Sequence, residues 1–299
     1  MPSTSGVLAS EDAFCAMDAQ GRLPAHFDYE HTQDLFSLAR YVRAALDLGG
    51  PALCVSMACA SSSRAFMDAA YLIRAGLCDA VVVGGADSLC RMTLRGFAAL
   101  ELVSAQRCRP CDASRDGISI GEAAGIVLLE RADGRAVSGP PAGFRAAVLG
   151  YGASSDGHHM STPHPHGAGA VLAMQRALQS ARLPVDAIDY INLHGTGTRA
   201  NDAMEDKAVG TLFGAQVPCS STKGWTGHTL GACGVLEAMI CALAIEHGFM
   251  PGCLGVDEVA PAFRTDVLTG NVTRPVRHVM SNAFGFGGAN CSLIFGKAA

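Results

Sequence analysis

The sequence predicts an α/β protein built from two similar halves, and three observations carry that prediction. Its strand candidates are short, continuous apolar runs, such as 79–84 (DAVVVG) and 124–131 (AGIVLLER), rather than alternating ones. Continuous runs mark strands covered on both faces. Between them lie alanine-rich segments with helical spacing of the apolar positions. The order of elements then repeats: in each half a helix leads to a short strand, a sharp corner, a long buried helix, a strand, an excursion and a last strand.

Composition agrees with this class. The chain has 299 residues, 49% hydrophobic and only 16% charged, with 35 glycines, enough for a substantial core. A net charge of −5 gives nothing to attract nucleic acid. No run approaches the ~20 uninterrupted apolar residues of a membrane span. Residues 1–7 lack a basic segment followed by an apolar one, so no secretion signal is expected and the protein is expected to be cytoplasmic. The 12 cysteines follow no framework spacing and read as reduced thiols.

Taken in order, residues 1–31 show no clear strand. Residues 31–48 have Leu35, Leu38, Ala39, Val42, Ala45 and Leu46 at helical spacing, ended by Gly49-Gly50. A buried strand is predicted over 51–57 and a buried helix over 61–74, stopping at Gly76. The strand at 79–84 follows. Residues 88–123 read as an irregular, charged excursion holding Arg107, Arg109, Arg115, Asp112 and Asp116, and 124–131 is a third strand. Residues 133–141, with two glycines and a Pro-Pro pair, form the linker, dividing the chain into 1–141 and 142–299. The second half opens with a strand (144–151) and a helix (169–181). A strand at 187–193 then ends in His194-Gly-Thr-Gly-Thr198. A helix over 201–213, capped by Asn201 or Asp202, leads to a strand at 217–221 and a long apolar helix at 230–247. Strands at 276–282 and 290–295 flank Phe284-Gly-Phe-Gly-Gly288. One asymmetry stands out: the strand, helix and strand of 144–194 have no counterpart before 31–48.

The chemistry-bearing residues sit at corners of this pattern. The chain switches from strand to helix at Ala58-Cys-Ala60, with no glycine or proline between. Cys59 is therefore expected at a helix mouth, where free backbone N–H groups favour thiolate, the nucleophilic form. The bland alternative is one more small buried residue among many cysteines; the corner and its small neighbours argue for the nucleophile. His194 ends a buried strand, where ligands bind in α/β sheets. His228 follows Gly227 at a helix start, which disfavours the imidazolium and leaves a neutral N–H donor. Lys223, in the same glycine-rich corner, is expected to be buried against a carboxylate, with Glu205 the candidate. Two such corners facing each other across a pseudo-two-fold axis would bring Cys59 and His228 together. The run 284–288 can bring backbone N–H groups close to a ligand and can also move. Cys108-Arg-Pro-Cys111 is a single CxxC without the second pair a zinc site needs. His158-His159 and His164-Pro-His166 read as a solvated or substrate-facing loop.

Together these motifs resemble β-ketoacyl-[acyl-carrier-protein] synthases of the thiolase superfamily, in the elongating branch with two histidines. The matching residues are Ala58-Cys-Ala-Ser-Ser62, Arg115-Asp-Gly, Gly121-Glu-Ala-Ala-Gly125, His194-Gly-Thr-Gly-Thr198 with Asn201-Asp202 and Glu205, Lys223 with Gly227-His228, Gly231-Ala232, and Ser281-Asn-Ala-Phe-Gly-Phe-Gly-Gly288. The resemblance covers nearly the whole chain. It implies a layered α-β-α-β-α fold of two pseudo-repeated halves. The first half would be truncated, because the family's opening strand, helix and strand are not found. It implies that Cys59 carries an acyl group received from an acyl carrier protein. His194 and His228 would stabilise the enolate formed when malonyl-carrier protein loses CO2, and Lys223 would orient His194. Phe286 and Cys59 would supply an oxyanion hole, with Phe284, Phe286 and Gly287 gating the pocket. Thr196 and Thr198 would bind the phosphopantetheine arm, and Glu205 and Asn282 would give structural support. No metal or bound cofactor is implied, since the carrier protein delivers the phosphopantetheine. The family also implies a homodimer or a ketosynthase heterodimer, with 51–57 pairing across the axis. The main alternative is a non-catalytic or truncated partner subunit of such a heterodimer. A thiolase-type enzyme acting on coenzyme A thioesters would need a second cysteine, and the one candidate, Cys291, sits in a strand. Cys111 occupies a position where the family usually has an aromatic residue.

Overall fold

The structure, a computed structural model, describes residues 8–131 and 146–297. Its elements run α1 (Leu8–Cys15), α2 (Tyr29–Thr32), α3 (Ser37–Ala45), α4 (Ser61–Arg74), β1 (Ala80–Asp87), α5 (Arg91–Ala99) and β2 (Ala123–Glu130). After the undescribed stretch come β3 (Ala146–Ser155), α6 (Ala168–Ala181), β4 (Tyr190–Asn192), α7 (Arg199–Phe213), β5 (Pro218–Ser220) and α8 (Lys223–Thr226). The chain closes with α9 (Cys233–His247), β6 (Phe249–Met250), β7 (Asp266–Val267), β8 (Val272–Thr273), β9 (His278–Gly285) and β10 (Ala289–Lys297). The proposed linker and the boundary at 141/142 lie outside the described residues.

Four layers stack around two helices. β1 and β2 form a two-stranded antiparallel sheet, and a six-stranded sheet runs β3-β10-β9-β4-β5-β7. Between the sheets pack α4 and α9. Ala65, Phe66 and Ala69 of α4 meet Val235, Ala238, Cys241 and Ile245 of α9 and Val279, Leu293 and Phe295 of the large sheet. α9 is mostly apolar, which suits a helix packed between two sheets, although Met239 and Leu243 on its outer side stay 40% and 50% exposed. The segment Leu230–His247 is long and apolar enough to cross a membrane by length alone, but here it fills the space between the sheets. Gly234 lets α9 reach α4, since a side chain there would strike Ser62 and Ser63, and Val235 N–H donates to Ser62 Oγ at 3.0 Å. α6 covers the other face of the large sheet, with α7 beside it. This is the thiolase-like architecture of the sequence analysis with one layer fewer than the five expected: the first half contributes the small sheet and the second half the large one, and Ile126 and Leu128 of β2 stay half exposed on the side away from α4 and α9.

Several local expectations are corrected. Residues 51–56 join neither sheet, and Leu53 stays 54% exposed. An apolar run becomes a strand only where a neighbour accepts its ladder, and β1 ladders to β2 alone. The helix predicted over 31–48 is broken. Asp34 accepts the N–H of Phe36 through its side chain (3.1 Å) and that of Ser37 through its carbonyl (2.8 Å), a local turn that competes with helix. The excursion contains α5, whose first N–H groups, on Arg91 and Met92, are capped by Glu11 of α1 at 2.7 and 3.3 Å. The cap of α7 is Thr198, which accepts the N–H of Asn201 at 3.3 Å, while Asp202 turns inward.

Candidate active site

Cys59 sits just outside α4, whose N-cap is Ala60. The corner is made by Ala58 in the left-handed region (φ 48°), with Ala60 N–H bonded to Met57 O (3.0 Å) and Ser61 N–H to Ala58 O (3.1 Å). A methyl side chain keeps the strain of that conformation small. The N–H of Cys59 is left free of this turn, and together with that of Phe286 it is directed at the Cys59 sulfur. Gly285 permits the approach of the Phe286 loop, because a Cβ there would lie 2.9 Å from Met57 O and 3.1 Å from Cys59 N.

From the second half come both imidazoles. His228 Nε2 is 3.1 Å from Cys59 Sγ, and its Nδ1 accepts the N–H of Leu230 at 3.2 Å. An Nδ1 that accepts leaves the ring proton on Nε2, facing the sulfur. His194 lies edge-on to His228, with ring centroids 5.3 Å apart. Lys223 Nζ donates to the carbonyl of His194 at 2.6 Å and stands 3.5 Å from its Nδ1, so His194 too is set as an Nε2–H donor. The Cys59 sulfur and one ring nitrogen from each histidine lie within 4.8 Å of one another. A cysteine and two histidines at that spacing have the composition of a zinc site. Here, however, each Nδ1 is already claimed by a donor, and a neutral imidazole with its proton on Nε2 has no lone pair there for a metal.

Burial sets the titration of all three. It pushes the Cys59 thiol up to about 11, overriding the Lys223 charge and the two N–H groups. The expectation that the helix mouth favours thiolate is thus overturned: desolvation of a fully buried charge outweighs a helix end that begins two residues later. Burial also holds both histidines well below the usual range, assisted by the nearby ammonium of Lys223. They are neutral at physiological pH.

Lys223 is fully buried and pairs with Glu237 of α9, not with Glu205. Glu205 instead accepts the backbone N–H groups of His194 and Gly195, each at 2.8 Å, and so fixes the turn that carries His194. Asn282 Nδ2 donates to Glu205 at 3.3 Å and is itself held by Ser292. Burial raises Glu205 to about 7 in spite of those donors.

A cavity of about 210 Å³ opens from Cys59, His194 and His228 toward the surface. Thr196, Thr198, Phe284 and Phe286 line it, joined by Phe97, Leu100 and Leu102 of the α5 region and by Ile118. The two threonine hydroxyls bond to each other at 2.9 Å. Phe286 packs against Phe97 as a tilted pair, with ring centroids 5.8 Å apart, and Gly287, at φ 78°, donates its N–H to Met160 O at 2.7 Å. The sequence reading missed Glu237, although a carboxylate in the middle of an apolar helix was a signal for a buried partner. It also missed Asp156, whose carboxylate holds Asn290 Nδ2 (2.8 Å) and His164 N–H (2.9 Å) beside the 286–288 loop. Nothing in its serine- and glycine-rich surroundings distinguished it.

The fold and this site define a thiolase-like protein with a Cys-His-His centre, and comparison with known proteins names the class. Residues 29–134 match the beta-ketoacyl synthase N-terminal domain and residues 145–257 the C-terminal domain. The chain is 40% identical over 261 residues to the mitochondrial 3-oxoacyl-[acyl-carrier-protein] synthase of Arabidopsis thaliana, a match covering 82% of this chain and 56% of that one. It is 42% identical over 259 residues to 3-oxoacyl-[acyl-carrier-protein] synthase 2 of Rhizobium meliloti, covering 83% and 61%. Among solved structures, a beta-ketoacyl synthase from Burkholderia phymatum superposes with a TM-score of 0.91 at 35% identity, covering all of this chain and 74% of that one. The ketosynthase of Xenorhabdus doucetiae, solved in complex with its chain length factor, gives 0.86 at 41%, covering 97% and 70%. The chain belongs to the β-ketoacyl synthase family. It spans about three fifths of the length of the two curated relatives.

Proposed function

We propose that this chain catalyses the decarboxylative condensation of malonyl-carrier protein with an acyl group held on Cys59, in fatty acid or polyketide synthesis. One observation carries the reading: a sulfur, two neutral imidazole Nε2–H donors and two backbone N–H groups converge at the end of one cavity. In the first half-reaction Cys59 attacks the acyl thioester of an acyl carrier protein. The oxygen charge that develops is received by the N–H groups of Cys59 and Phe286. The thiol proton leaves with the pantetheine sulfur, which suits a nucleophile that rests protonated. In the second, malonyl-carrier protein fills the cavity and loses CO2. The Nε2–H groups of His194 and His228 hydrogen-bond the enolate oxygen, and the enolate carbon attacks the Cys59 thioester, expelling the Cys59 thiolate, which takes a proton from water. Lys223, a positioning residue, holds His194 through its carbonyl and Nδ1. Thr196 and Thr198 receive the phosphopantetheine arm, and the 284–288 loop gates the acyl pocket. No cofactor is bound in this scheme.

The partners proposed are an acyl carrier protein and a second ketosynthase-type subunit, in a cytoplasmic setting. Two solved relatives pair a ketosynthase with a chain length factor. A chain retaining the sulfur and both imidazoles fits the condensing half of such a pair better than a non-catalytic partner. The test is intact-mass readout after incubation with acyl- and malonyl-carrier proteins. Wild type should gain the acyl mass on Cys59, and Cys59→Gln should release CO2 from malonyl-carrier protein without condensing. An acyl adduct on another cysteine, or a folded Cys59→Gln variant that leaves malonyl-carrier protein intact, overturns the assignment.

A further inference from the structure

Helix α5 walls part of the cavity, yet its own packing does little to hold it there. Of its residues only Thr93 is buried. Its last turn and the residues after it supply Phe97, Leu100 and Leu102 to the apolar part of the lining. That end is tied to the site. Ile118 N–H donates to Leu102 O and Ser104 N–H to Ile118 O, each at 2.8 Å, and Phe97 packs against Phe286. The other end has no cap of its own, since the side chain of its N-cap, Cys90, bonds to no helix N–H. Glu11 of α1, 80 residues away in sequence, takes that role. Its carboxylate accepts Arg91 N–H at 2.7 Å and Met92 N–H at 3.3 Å, and it pairs with the Arg91 guanidinium. The Glu11 side chain is 10% exposed and lies between Ser10 and Ala13, the two buried residues of α1. A shielded carboxylate at the free N–H groups of a helix start is a strong tie, favoured by hydrogen bonds and by the helix dipole together.

We propose that Glu11 is a positioning residue that sets the width of the acyl cavity from outside it. Phe97 lies between the two ties of α5 and keeps its place against Phe286 only while both hold. With Glu11 gone, the first turn of α5 loses its acceptor, the helix tilts about its fixed C-terminal end, and the wall at Phe97 gives way. The cavity then admits longer acyl chains. This role rests on the ketosynthase reading, which supplies the acyl chain as cargo.

The test compares wild type with Glu11→Ala and Glu11→Gln. Acylation of Cys59 by hexanoyl- and dodecanoyl-carrier proteins is followed by intact mass. In Glu11→Ala the ratio of the two second-order rates should move roughly fivefold toward the longer chain, the scale of one net hydrogen bond. Glu11→Gln keeps an acceptor for the two N–H groups but no charge for Arg91, and should shift the same ratio less. An unchanged ratio, including rates that fall equally for both chains, overturns the proposal, because a merely structural role lowers both alike. Amide hydrogen exchange gives a second readout that needs no activity. In Glu11→Ala, amides over 91–102 should exchange faster while those of α4 and α9 keep their wild-type protection. Unchanged exchange over 91–102 overturns the tie whether or not the ketosynthase reading holds. Wild type that gains no acyl mass on Cys59 refutes that reading instead, and faster exchange over 91–102 in Glu11→Ala then still supports the tie.

Discussion

Glu237→Leu should be among the most destabilising single changes in this chain, through the charge it leaves behind. The Lys223 side chain is 0% exposed and that of Glu237 3%, so the ammonium has no access to water. After the substitution it retains one strong acceptor, the carbonyl of His194 at 2.6 Å. An unpaired buried charge costs about 3–5 kcal/mol. For a chain of this size that lowers Tm by roughly 5–15 °C. The same logic predicts that Lys223→Met added to Glu237→Leu restores about 2 kcal/mol or more, because replacing both ions by apolar groups is often neutral or stabilising. Urea unfolding followed by circular dichroism reads both numbers. A double variant no more stable than Glu237→Leu alone refutes the reasoning, since the loss would then come from packing in α9 rather than from the stranded ammonium.

Two further predictions follow from the geometry. Burial raises Glu205 to about 7 from an ordinary 4.5, so between those pH values the folded chain keeps a proton that the unfolded chain has lost. Stability should therefore fall as pH rises through that window, by about 3 kcal/mol in all, and Glu205→Gln should flatten this part of the profile. Urea midpoints at pH 5 and pH 8 that shift equally in both proteins contradict it. Gly285→Ala drives a methyl group against the Met57 carbonyl and displaces the Phe286 N–H from Cys59. Loss of one such donor costs about 10²-fold in acyl transfer, measurable as the rate of acyl-mass gain on Cys59; an unchanged rate removes Phe286 from the proposed oxyanion hole.

The parts of this structure that local physics decides were legible in the chain. The switch from apolar run to alanine-rich helix located the Cys59 corner, a buried strand end located His194, and a glycine before a helix start located His228. What escaped was decided by neighbours distant in sequence. Glu205 was the candidate partner of Lys223, whereas the ion pair forms with Glu237, in the middle of an apolar helix. The helix mouth argued for thiolate, and the tertiary burial that reverses this cannot be seen from the corner alone. Residues 51–57 have the composition of a strand, but composition does not say whether a neighbour stands beside it. α5 was hidden because it is only nine residues long, is interrupted by Gly96 and buries only Thr93 fully, too little to stand out within a charged excursion.

The lining of the cavity is gathered from residues near 59, 97–102, 118, 156–163, 194–201, 228 and 284–290. No contiguous stretch holds the sulfur and either imidazole together, so no fragment that folds early can be active. The centre exists only once both sheets have closed on α4 and α9, and contacts of that range form slowly. Turnover should then vanish with the first sub-global opening that parts the two sheets, well before helix content declines, which makes catalysis a more sensitive gauge of native closure than any spectroscopic measure of secondary structure.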